Sequence, residues 1–300
     1  MKKKISLAYS SPITAWLTIL FVIPTLIVIL YSFLEKGLYG GITWNFSLDA
    51  YKSFSSPYFI KILWNTISIS IIVTFITIVT AIPTALFIAT SKKKNLLLFL
   101  IIIPFWTNFL IRIYSWIGIL GNNGVLNNFL LSIRNFSLGL ANNNNILSPL
   151  FNFVANLLVD APYQFLYNKT AVIIVSIYAY LPYAILPLYS TIEKFDFNLI
   201  NAGRDLGASK FQAYMKIFLP NIKPGIITAG LFTFIPALGS YAIPQLVGGI
   251  DSHMLGNVIA TELTITRNWP KAAAISTALI GITTILIIVF SKYDKEHKAN

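Results

Sequence analysis

The sequence NAGRDLGASKFQAYMKIFLP, residues 201–220, is a polar and amphipathic segment in a chain that otherwise consists mostly of long apolar runs. It follows one apolar run at 171–190 and leads into another at 222–247. Both runs are long enough to cross a bilayer, so we expect the polar segment to lie on one side of a membrane and to join two spans. The pattern within this segment therefore indicates what the chain does outside the membrane.

The residues of this segment predict two short helices. Read as one helix, its small or apolar residues recur at spacings of three and four and form a stripe. The stripe consists of Ile200, Gly203, Gly207, Phe211, Tyr214 and Phe218. Because glycine weakens a continuous helix, we expect a bend at Gly207. Pro220 is expected to move Leu219 out of the helical region and to end the segment.

A bent amphipathic element of this kind has two alternative uses. It packs on the transmembrane bundle of its own chain, which the periodicity alone favours. Alternatively, it inserts into a groove on a cytoplasmic partner.

The composition is that of an integral membrane protein. Of 300 residues, 56% are hydrophobic and 11% are charged, whereas soluble domains carry about 25% charged residues. The absence of cysteine excludes disulfides and thiolate metal sites. His253 and His297 have no ligand-like neighbours, which argues against a zinc or histidine-based catalytic site. The net charge is +12, and because the lysines cluster beside apolar runs, the lipid bilayer is favoured over nucleic acid as their partner.

Six apolar runs predict six transmembrane helices, since a span takes about 20 helical residues. The runs are 13–33, 65–90, 96–120, 171–190, 222–247 and 272–290. The first is predicted to be a retained helix, because it is longer than a signal-peptide core and no small-residue cleavage site follows it. Lysine and arginine concentrate in the segments that share a side with both termini. The positive-inside rule therefore predicts a multi-pass protein of the cell (plasma) membrane with both termini in the cytoplasm.

The segments between the spans are predicted as loops. Residues 35–61 and 248–269 are polar loops, and 121–169 is a long loop rich in asparagine. Within that loop the apolar patch 146–159 is too short to span comfortably, so we expect an interfacial or packed external helix. The division that follows is an N-terminal helix with an external loop (1–60), a core of five helices (61–291) and a cytoplasmic tail (292–300).

The spacing within the opening segment resembles the EAA loop of binding-protein-dependent type-I ABC importer permeases. Asn201-Ala202-Gly203, then Gly207, then Ile217-x-Leu219-Pro220 fit that pattern without a gap, between the fourth and fifth of six spans. The family has this loop at the same place, where it docks in a cleft on the ATPase subunit and transmits its closure to the membrane helices. Here Asn201 stands where a glutamate is usual, and Gly203 where the second alanine is usual.

The resemblance implies a fold and a set of coupling residues. The fold is an all-α integral membrane protein with six transmembrane helices, the MetI-like permease fold, with a cytoplasmic coupling helix within 196–220. The implied coupling residues are Asn201, Ala202, Gly203, Gly207, Phe211, Ile217, Leu219 and Pro220.

Further motifs resemble the first permease subunit of spermidine/putrescine ABC importers. They are PFWTNFLIRIY at 104–114, LPLYS at 186–190 with IEK at 192–194, AGRDLGASK at 202–210, IPALG at 235–239 with GG at 248–249, GN at 256–257 and NWP at 268–270. Residues 133–157 look like extra sequence relative to that family. Permeases for thiamine, iron or other small solutes share the loop and remain alternatives. A channel or a secondary transporter that works without ATP is a more distant one.

This resemblance implies partners and a division of labour. The partners are a second, related permease subunit that forms a heterodimer, an ATP-binding cassette ATPase dimer and an extracytoplasmic polyamine-binding protein. The chain contains no G-x-x-x-x-G-K-[ST] motif, so ATP hydrolysis is expected on the separate ATPase subunit. The chain itself is expected to be a transport subunit, not an enzyme, and to carry no cofactor.

The substrate path is predicted from aromatic and amide side chains near prolines. No aspartate or glutamate lies within the six runs, and the basic Arg112 is expected to reach the interface or to bond to backbone carbonyls. Aromatic faces attract ammonium groups by about 0.5–2 kcal/mol. Proline breaks free carbonyls that coordinate a cation only where they line a cavity, and such breaks are predicted at Pro104, Pro182, Pro224, Pro236 and Pro244. The path candidates are Trp106, Asn108, Tyr178, Tyr180, Tyr183, Tyr241 and Gln245.

Two alternatives accompany this prediction. The aromatic residues of the path set would instead anchor the chain at the membrane interface or pack helices together. Recognition of the substrate's charge would then come from the second permease, or from Asp251 and Glu262 at the outer mouth.

Overall fold

The computed structural model describes residues 11–141, 148–157 and 162–299. The basic start at 1–10, both ends of the predicted patch 146–159, and Asn300 lie outside the described residues. Helix dominates the described chain. This is expected for apolar runs, because backbone groups in a bilayer must find their hydrogen-bond partners within the protein.

The elements follow one another along the chain with short connections. In order they are α1 (Ser11–Tyr31), β1 (Leu34–Lys36), β2 (Ile42–Phe46), α2 (Asp49–Lys52), α3 (Pro57–Thr90), α4 (Lys94–Ile102), α5 (Phe109–Leu120), α6 (Val125–Ala141), α7 (Ser148–Leu157), α8 (Lys169–Ile192), α9 (Asn198–Asp205), α10 (Lys210–Ala213), α11 (Leu219–Asn221), α12 (Lys223–Leu238), α13 (Ala242–Val247), α14 (Leu255–Thr264) and α15 (Trp269–Ala299). Short 3-10 turns lie at Ser53–Ser55, Ile103–Trp106 and Ile250–Ser252, and π-helical turns at Thr18–Val22 and Tyr214–Phe218.

The number of membrane-crossing helices agrees with the predicted fold. Within the described residues, four helices are each long and apolar enough to cross a membrane: Ser11–Tyr31, Pro57–Thr90, Lys169–Ile192 and Trp269–Phe290. Two bent pairs bring the number to six when each counts as one span. These are Lys94–Trp106 with Phe109–Ala141, bent by 93°, and Lys210–Asn221 with Lys223–Leu238, bent by 66°.

The third predicted span, 96–120, is wrong as a single helix. α4 gives way to a 3-10 turn that contains Pro104, and Thr107 and Asn108 are extended. The side-chain oxygen of Asn108 then accepts a hydrogen bond from the backbone N–H of Leu110 at 2.8 Å and caps α5. Proline removes a helical donor and asparagine is a favoured N-cap, so this local sequence interrupts the helix.

The helix is continuous at Pro182 and Pro236, contrary to the predicted breaks, whereas Pro224 lies in the first turn of α12, directly after the bend at Ile222. Pro182 and Pro187 lie inside the continuous α8, and Pro236 lies inside α12. Neighbouring helices compensate the lost backbone bond in membrane helices, so proline is tolerated there. The fifth predicted span breaks instead after Leu238, at the residues that separate α12 from α13.

The chain divides into two compact units. One comprises the described residues up to Trp64 together with those from Leu255 onward, and the other is Asn65–Met254. The sequence suggests a different kind of division, into regions of different expected function at 1–60, 61–291 and 292–300. That division stays a prediction.

The first unit contains a small β-hairpin where the sequence predicted a polar loop at 35–61. β1 and β2 pair antiparallel, and the rings of Phe33 and Phe46 stack beside them with their centroids 6.0 Å apart. The alternation of Ile42, Trp44 and Phe46 is typical of a strand. The described chain is mostly helical, as predicted, and this two-stranded sheet is a small addition to it.

α14 also lies where a loop was predicted, at 248–269. Leu255, Val258 and Glu262 fall at spacings of three and four and are all buried, a periodicity that is visible in the sequence. Leu255 and Val258 pack with Ile275 of α15 in the core of the first unit. The sequence did not lead to a predicted helix here, because polar residues interrupt its short apolar face.

The second unit is organised around α8, which contributes buried residues along its whole length. α12 packs along α8, and small residues on both helices allow the backbones to approach each other. The buried small residues are Ala179 and Ala184 of α8 with Ala229 and Ala237 of α12. One core cluster also takes in Ile200, Ala213 and Phe218. The segment 201–220 is therefore joined to the core through α8.

α6 occupies the predicted loop 121–169 and is fixed by a buried amide. The side chain of Asn127 is fully buried and donates to the carbonyls of Gly121 at 3.1 Å and Tyr163 at 2.9 Å. Its oxygen accepts from the backbone N–H of Tyr163 at 2.8 Å. α7 lies within the patch 146–159 and packs on α6, which confirms the predicted helix.

Replacing Asn127 should destabilise the second unit. Asn127→Ala removes three hydrogen bonds and leaves the backbone N–H of Tyr163 without this partner, although the carbonyls of Gly121 and Tyr163 keep bonds from Gly124 and Phe165. We expect this loss to cost about 1–3 kcal/mol of unfolding free energy. The measurement is the thermal unfolding midpoint of the detergent-solubilised chain. The matched control is Asn128→Ala, because Asn128 is exposed and makes one bond of 3.2 Å to the carbonyl of Asn123. Similar losses for both variants would contradict the role given to Asn127.

Candidate functional site

The candidate site is the segment from α9 to α11, and its first feature is a glycine turn. The N–H of Ala208 donates to the carbonyl of Gly203 at 3.1 Å, and the N–H of Gly207 donates to that of Arg204 at 2.9 Å. This pair of bonds closes the C-terminus of α9 in a Schellman motif. The motif needs a left-handed residue, and Gly207 has φ +90°. The bend predicted at Gly207 is confirmed.

The second short helix begins at once with a capping box. The hydroxyl of Ser209 accepts a bond from the backbone N–H of Gln212 at 3.2 Å, and the side chain of Gln212 accepts one from the N–H of Ser209 at 2.9 Å. These two bonds satisfy donors that the first turn of α10 leaves free. The sequence GASKFQ thus ends one helix and starts the next within three residues.

The end of the segment differs from the prediction at Leu219. This residue keeps helical dihedral angles, φ −58° and ψ −43°, and Pro220 lies in the first turn of α11, where a missing N–H costs nothing. A π-helical turn at Tyr214–Phe218 precedes them. The chain changes direction only at Ile222, where φ is −90° and ψ is 2°.

The inner face of the segment is held by four aromatic rings. Phe218 is buried, and its centroid lies 5.3 Å from Phe195, 6.5 Å from Phe197 and 5.4 Å from Tyr214. We call these four residues the aromatic anchor. Phe195 and Phe197 come from the turn after α8, and their role was not predicted from the sequence. Their alternation with Asp196, in the sequence KFDFN, was the available signal.

The predicted stripe is wrong at two positions. Phe211 and Gly207 are exposed, and Ala213 is buried in place of Phe211. The left-handed turn at Gly207 breaks the helical register, so residues after it no longer continue the face on which Ile200 lies. A stripe read from one helical projection is therefore valid only within each short helix and not across the turn at Gly207.

Gly203 allows the two short helices to touch. A Cβ atom at this position would collide with Cδ1 of Ile217, so the absent side chain makes room for Ile217. The glycine that stands in place of the usual second alanine thus permits a close contact between α9 and the π-helical turn. The two halves of the segment pack against each other at this point.

The outer face of the segment is apolar and exposed. It consists of Leu206, Phe211 and Met215, which are 91%, 69% and 47% exposed, and we call these three residues the outer face. Beside it opens a polar concavity of about 570 Å³. The concavity is lined by Asn201, Arg204, Asp205, Gly207, Ala208, Ser209, Lys210 and Gln212.

The predicted coupling residues separate by exposure. Those that are partly buried are Gly203, Ile217 and Leu219, and those that are exposed are Asn201, Ala202, Gly207, Phe211 and Pro220. The first group braces the segment, and the second is available to a partner.

An ion pair joins the base of this segment to α4. Nζ of Lys94 lies 2.7 Å from Oε1 of Glu193, and the hydroxyl of Tyr189 donates to the same oxygen at 2.7 Å. Lys94 and then Tyr189 lower the pKa of the Glu193 carboxyl, so this group stays ionised. The contact is exposed, so it orients the chain more than it stabilises it.

Two of the predicted path tyrosines belong to one aromatic row. The ring of Tyr183 meets Phe105 edge to face with centroids 5.2 Å apart, and Tyr180 follows at 6.3 Å from Tyr183. Tyr180 is buried and its hydroxyl donates to the carbonyl of Pro236 at 3.3 Å. Tyr180 therefore packs between α8 and α12, and Tyr183 is the accessible member of the row.

Arg112 lies against the same row. Its guanidinium carbon is 5.6 Å from the ring centroid of Phe105 and 5.7 Å from that of Phe109. These cation–π contacts were not expected, since bonds to carbonyls or a reach to the interface were predicted. Its Nε is buried without a hydrogen-bond partner among the described residues.

The other path candidates lie in separate surroundings. Trp106 is exposed and meets Phe99 edge to face at 5.8 Å. Asn108 is exposed and serves as the cap of α5. Tyr178 pairs edge to face with Trp116 at 5.3 Å.

Tyr241 and Gln245 frame α13. Both are exposed, and Tyr241 precedes the first residue of that helix. The role of these candidates in a path stays a prediction.

Of the two acidic residues suggested for the outer mouth, Glu262 has its carboxylate engaged within the chain. Glu262 is ion-paired with Lys271 at 2.6 Å, is largely buried and also accepts a bond from the hydroxyl of Thr266. It therefore stabilises the turn between α14 and α15. Asp251 is exposed, and its carbonyl accepts from the amide of Asn65 at 2.9 Å. Within the part of the chain that the structure describes, no three His, Asp or Glu side chains come together to hold a metal ion.

Comparisons with known sequences agree on one family. The family model described as "binding-protein-dependent transport system inner membrane component" matches residues 63–293. The spermidine/putrescine transport system permease protein PotB of Haemophilus influenzae is 37% identical over 94% of this chain and 92% of its own. PotB of Escherichia coli is 35% identical over 93% of this chain and 94% of its own. The inner membrane ABC transporter permease protein YdcU of Escherichia coli is 27% identical over 88% of this chain and 82% of its own.

Comparison with solved structures supports the same fold. A chain of a bacterial alginate ABC transporter, in complex with a periplasmic protein bound to alginate pentasaccharide, superposes with a TM-score of 0.67 at 17% identity. It covers 96% of this chain and 93% of its own. A second structure of a bacterial alginate importer gives a TM-score of 0.68 at 16% identity, over 98% and 96% of the two chains. At such low identity the likeness concerns the fold alone.

The left-handed turn predicts a graded response at Gly207. Gly207→Val should destabilise the turn by about 1–2 kcal/mol, because a β-branched residue resists positive φ. Gly207→Asn should cost less, since asparagine tolerates the left-handed region. Hydrogen–deuterium exchange of peptides from 198–213 measures the difference, with faster exchange expected for the valine variant. Equal exchange in the two variants would contradict the importance of the backbone angle.

Proposed function

The chain belongs to the family of binding-protein-dependent transport system inner membrane components, and on that premise we propose that it forms the membrane path for spermidine or putrescine in an ATP-driven importer. The chain is a multi-pass membrane permease, a transport subunit. The observation that carries the substrate class is the 37% identity, over 94% of this chain, to a permease named for spermidine and putrescine. The sequence motifs at 104–114, 186–190 and 235–239 support the same class.

We infer that the outer face of the α9–α11 segment docks on a separate ATPase. Leu206 and Phe211 expose apolar area in a segment that is otherwise polar, and exposed apolar patches mark interaction sites. The basic residues on this side of the membrane support a cytoplasmic location, with both termini in the same compartment. The polar concavity next to the outer face adds polar groups with which a partner can form hydrogen bonds.

The aromatic anchor gives this docking a mechanical consequence. Phe195 and Phe197 follow α8 directly, Phe218 leads into α12, and the three rings pack on one another. A displacement of the outer face therefore moves the ends of α8 and α12 together. The contact of Gly203 with Ile217 keeps the two short helices from moving independently. In this proposal, closure of the ATPase changes the positions of two membrane-spanning helices.

The remaining subunits are assigned by the same proposal. The sequence has no phosphate-binding loop, so an ATP-binding cassette ATPase dimer hydrolyses ATP. A second, related permease completes the path as a heterodimer, and an extracytoplasmic polyamine-binding protein delivers the substrate. The substrate is then a polycation, and the protein contributes neutral groups to its recognition.

The aromatic row supplies the most direct contact for an ammonium group. Tyr183 is 41% exposed and its ring is supported by Phe105 and Tyr180. Aromatic faces attract cations without the desolvation cost of a carboxylate. We propose that Tyr183 contacts the substrate and that Tyr180 positions it. Trp106, Asn108, Tyr178, Tyr241 and Gln245 are proposed as further lining groups.

The docking proposal is tested by reversing the polarity of the outer face. Leu206→Asp combined with Phe211→Asp should reduce the ATPase that co-purifies with the chain by about tenfold or more, because two apolar contacts become charged. Thermal stability of the isolated chain should change little, since both residues are exposed. The matched control is Leu38→Asp, at a fully exposed leucine in the β-hairpin turn. An undiminished complex after the double substitution would overturn the docking site.

The substrate class is tested by competition. In cells that express the importer, unlabelled spermidine should abolish uptake of labelled putrescine, and thiamine or ferric iron should leave it unchanged. Uptake should also require the ATPase subunit, which separates an ATP-driven importer from a channel or a secondary transporter. Competition by thiamine or iron would replace the polyamine assignment. Uptake that persists after deletion of the ATPase would overturn the importer assignment.

A further inference from the structure

Helix α6 leaves an apolar row exposed beside a polar one. Val125, Phe129 and Phe136 are 67%, 60% and 69% exposed and lie within a narrow sector of the helix surface. Asn128 and Asn135 are also exposed and lie one step further around the helix. Such a boundary between apolar and polar rows along one helix is typical of a helix that lies in a membrane interface.

The apolar row of α6 does not face the protein. The residues of α6 that are buried are Asn127, Ser137 and Ala141, on the opposite side of the helix. Asn127 fixes that side by its three hydrogen bonds. The orientation of α6 is therefore set by a polar anchor, and its phenylalanines point away from the core of the second unit.

Helix α7 repeats this arrangement. Leu150, Phe153 and Leu157 fall at spacings of three and four and are 57%, 65% and 68% exposed, whereas Ala155 is buried. α7 packs against α6, so the two form a helical pair. Both helices of this pair thus carry an apolar row that the chain itself leaves uncovered.

The charges of this region argue for lipid as the occupant. Residues 121–157 contain no aspartate or glutamate and a single basic residue, Arg134. Ionised side chains are costly near the hydrocarbon of a bilayer, so a region with so few of them suits a position at the edge of the acyl chains. Protein interfaces instead border their apolar centre with a polar, charged rim. Because this region has a single basic residue, its binding to the membrane depends on the apolar rows and not on charge.

The connection to the preceding helix keeps the start of α6 close to the end of α5. Four residues, 121–124, separate the two helices, and the N–H of Gly124 donates to the carbonyl of Gly121 at 2.8 Å, which closes a tight turn. The five steps from Leu120 to Val125 reach about 18 Å at most. α5 and α6 together form the second half of a bent apolar pair, and α5 exposes Leu110, Ile111 and Tyr114. The exposed apolar side chains of α5 are therefore followed, after one short turn, by those of α6.

We propose that α6 and α7 lie in the headgroup region at the end of this span, with their apolar rows turned toward the acyl chains. The lipid-facing rows are Val125, Phe129 and Phe136 of α6 with Leu150, Phe153 and Leu157 of α7. Asn128 and Asn135 face the water side of the interface. The site is independent of the substrate and of the ATPase, because it rests on the membrane location of the chain alone.

The chain offers a direct test, since it contains no cysteine. Phe129→Cys, Phe136→Cys and Phe153→Cys are each labelled with the environment-sensitive fluorophore NBD. The full chain, with any subunits that co-purify, is placed in phosphatidylcholine nanodiscs. Asn128→Cys and Asn135→Cys are the matched controls, because they share the helix, the exposure and the seven-residue spacing of the two α6 phenylalanines. Unchanged thermal unfolding midpoints establish that each labelled variant is folded.

Lipids with a spin label near the headgroup should quench the three phenylalanine positions about threefold or more above the asparagine positions, because an interfacial helix buries its apolar face about 5–10 Å deep. Aqueous iodide should show the opposite order. Stronger quenching by a spin label near the middle of the acyl chain would mean that the helices span, which overturns the proposal. Protection of the phenylalanine positions from both quenchers would indicate a protein partner, and full access to iodide would indicate water. Either result also overturns it.

Discussion

The position of the α9–α11 segment depends on the packing of Phe218 between Phe195 and Phe197. This one cluster links the residues that follow α8 to those that precede α12, so a segment outside the apolar spans shares the core of the membrane helices. The glycine turn and the capping box shape the segment, but they are local bonds. Without the aromatic anchor, the orientation of the two short helices would rest on the burial of Ile200 and Ala213. Helices of this length are unstable on their own, so their geometry comes from tertiary packing.

The sequence was most informative where one physical signal acted alone. Long apolar runs predicted the spans, because a bilayer leaves the backbone few alternatives to helix. Gly207 predicted the bend, since its missing side chain is the feature that the turn uses. The sequence was least informative where two signals competed. Pro182 predicted a break that neighbouring helices suppress, and the many asparagines around Asn127 hid α6, whose stability comes from a buried amide.

The candidate site likewise combines features that the sequence predicted with features that it did not. The spacing from Asn201 to Pro220 located the segment correctly, since it is a pattern along the chain. The left-handed turn determines which residues face outward, because it rotates Phe211 to the surface and brings Ala213 into the core. The spacing along the chain did not predict this rotation. Lys94 and Glu193 lie 99 residues apart in the sequence, so no local pattern revealed their ion pair. The aromatic row at Tyr183 was suggested by composition, but its support by Phe105 required the fold.

The length of α3 has a consequence of its own. Its 34 residues make a rod of about 51 Å, whereas the hydrocarbon core of a bilayer is about 30 Å thick. Tilt alone does not absorb this excess, because matching the two lengths would require an inclination well beyond the range seen for membrane helices. Several turns of α3 therefore stand outside the hydrocarbon. Trp64 is exposed and lies two turns from the start of α3, and tryptophan prefers the boundary between lipid and water. The indole of Trp64 is therefore a natural probe of the depth at which α3 enters the bilayer.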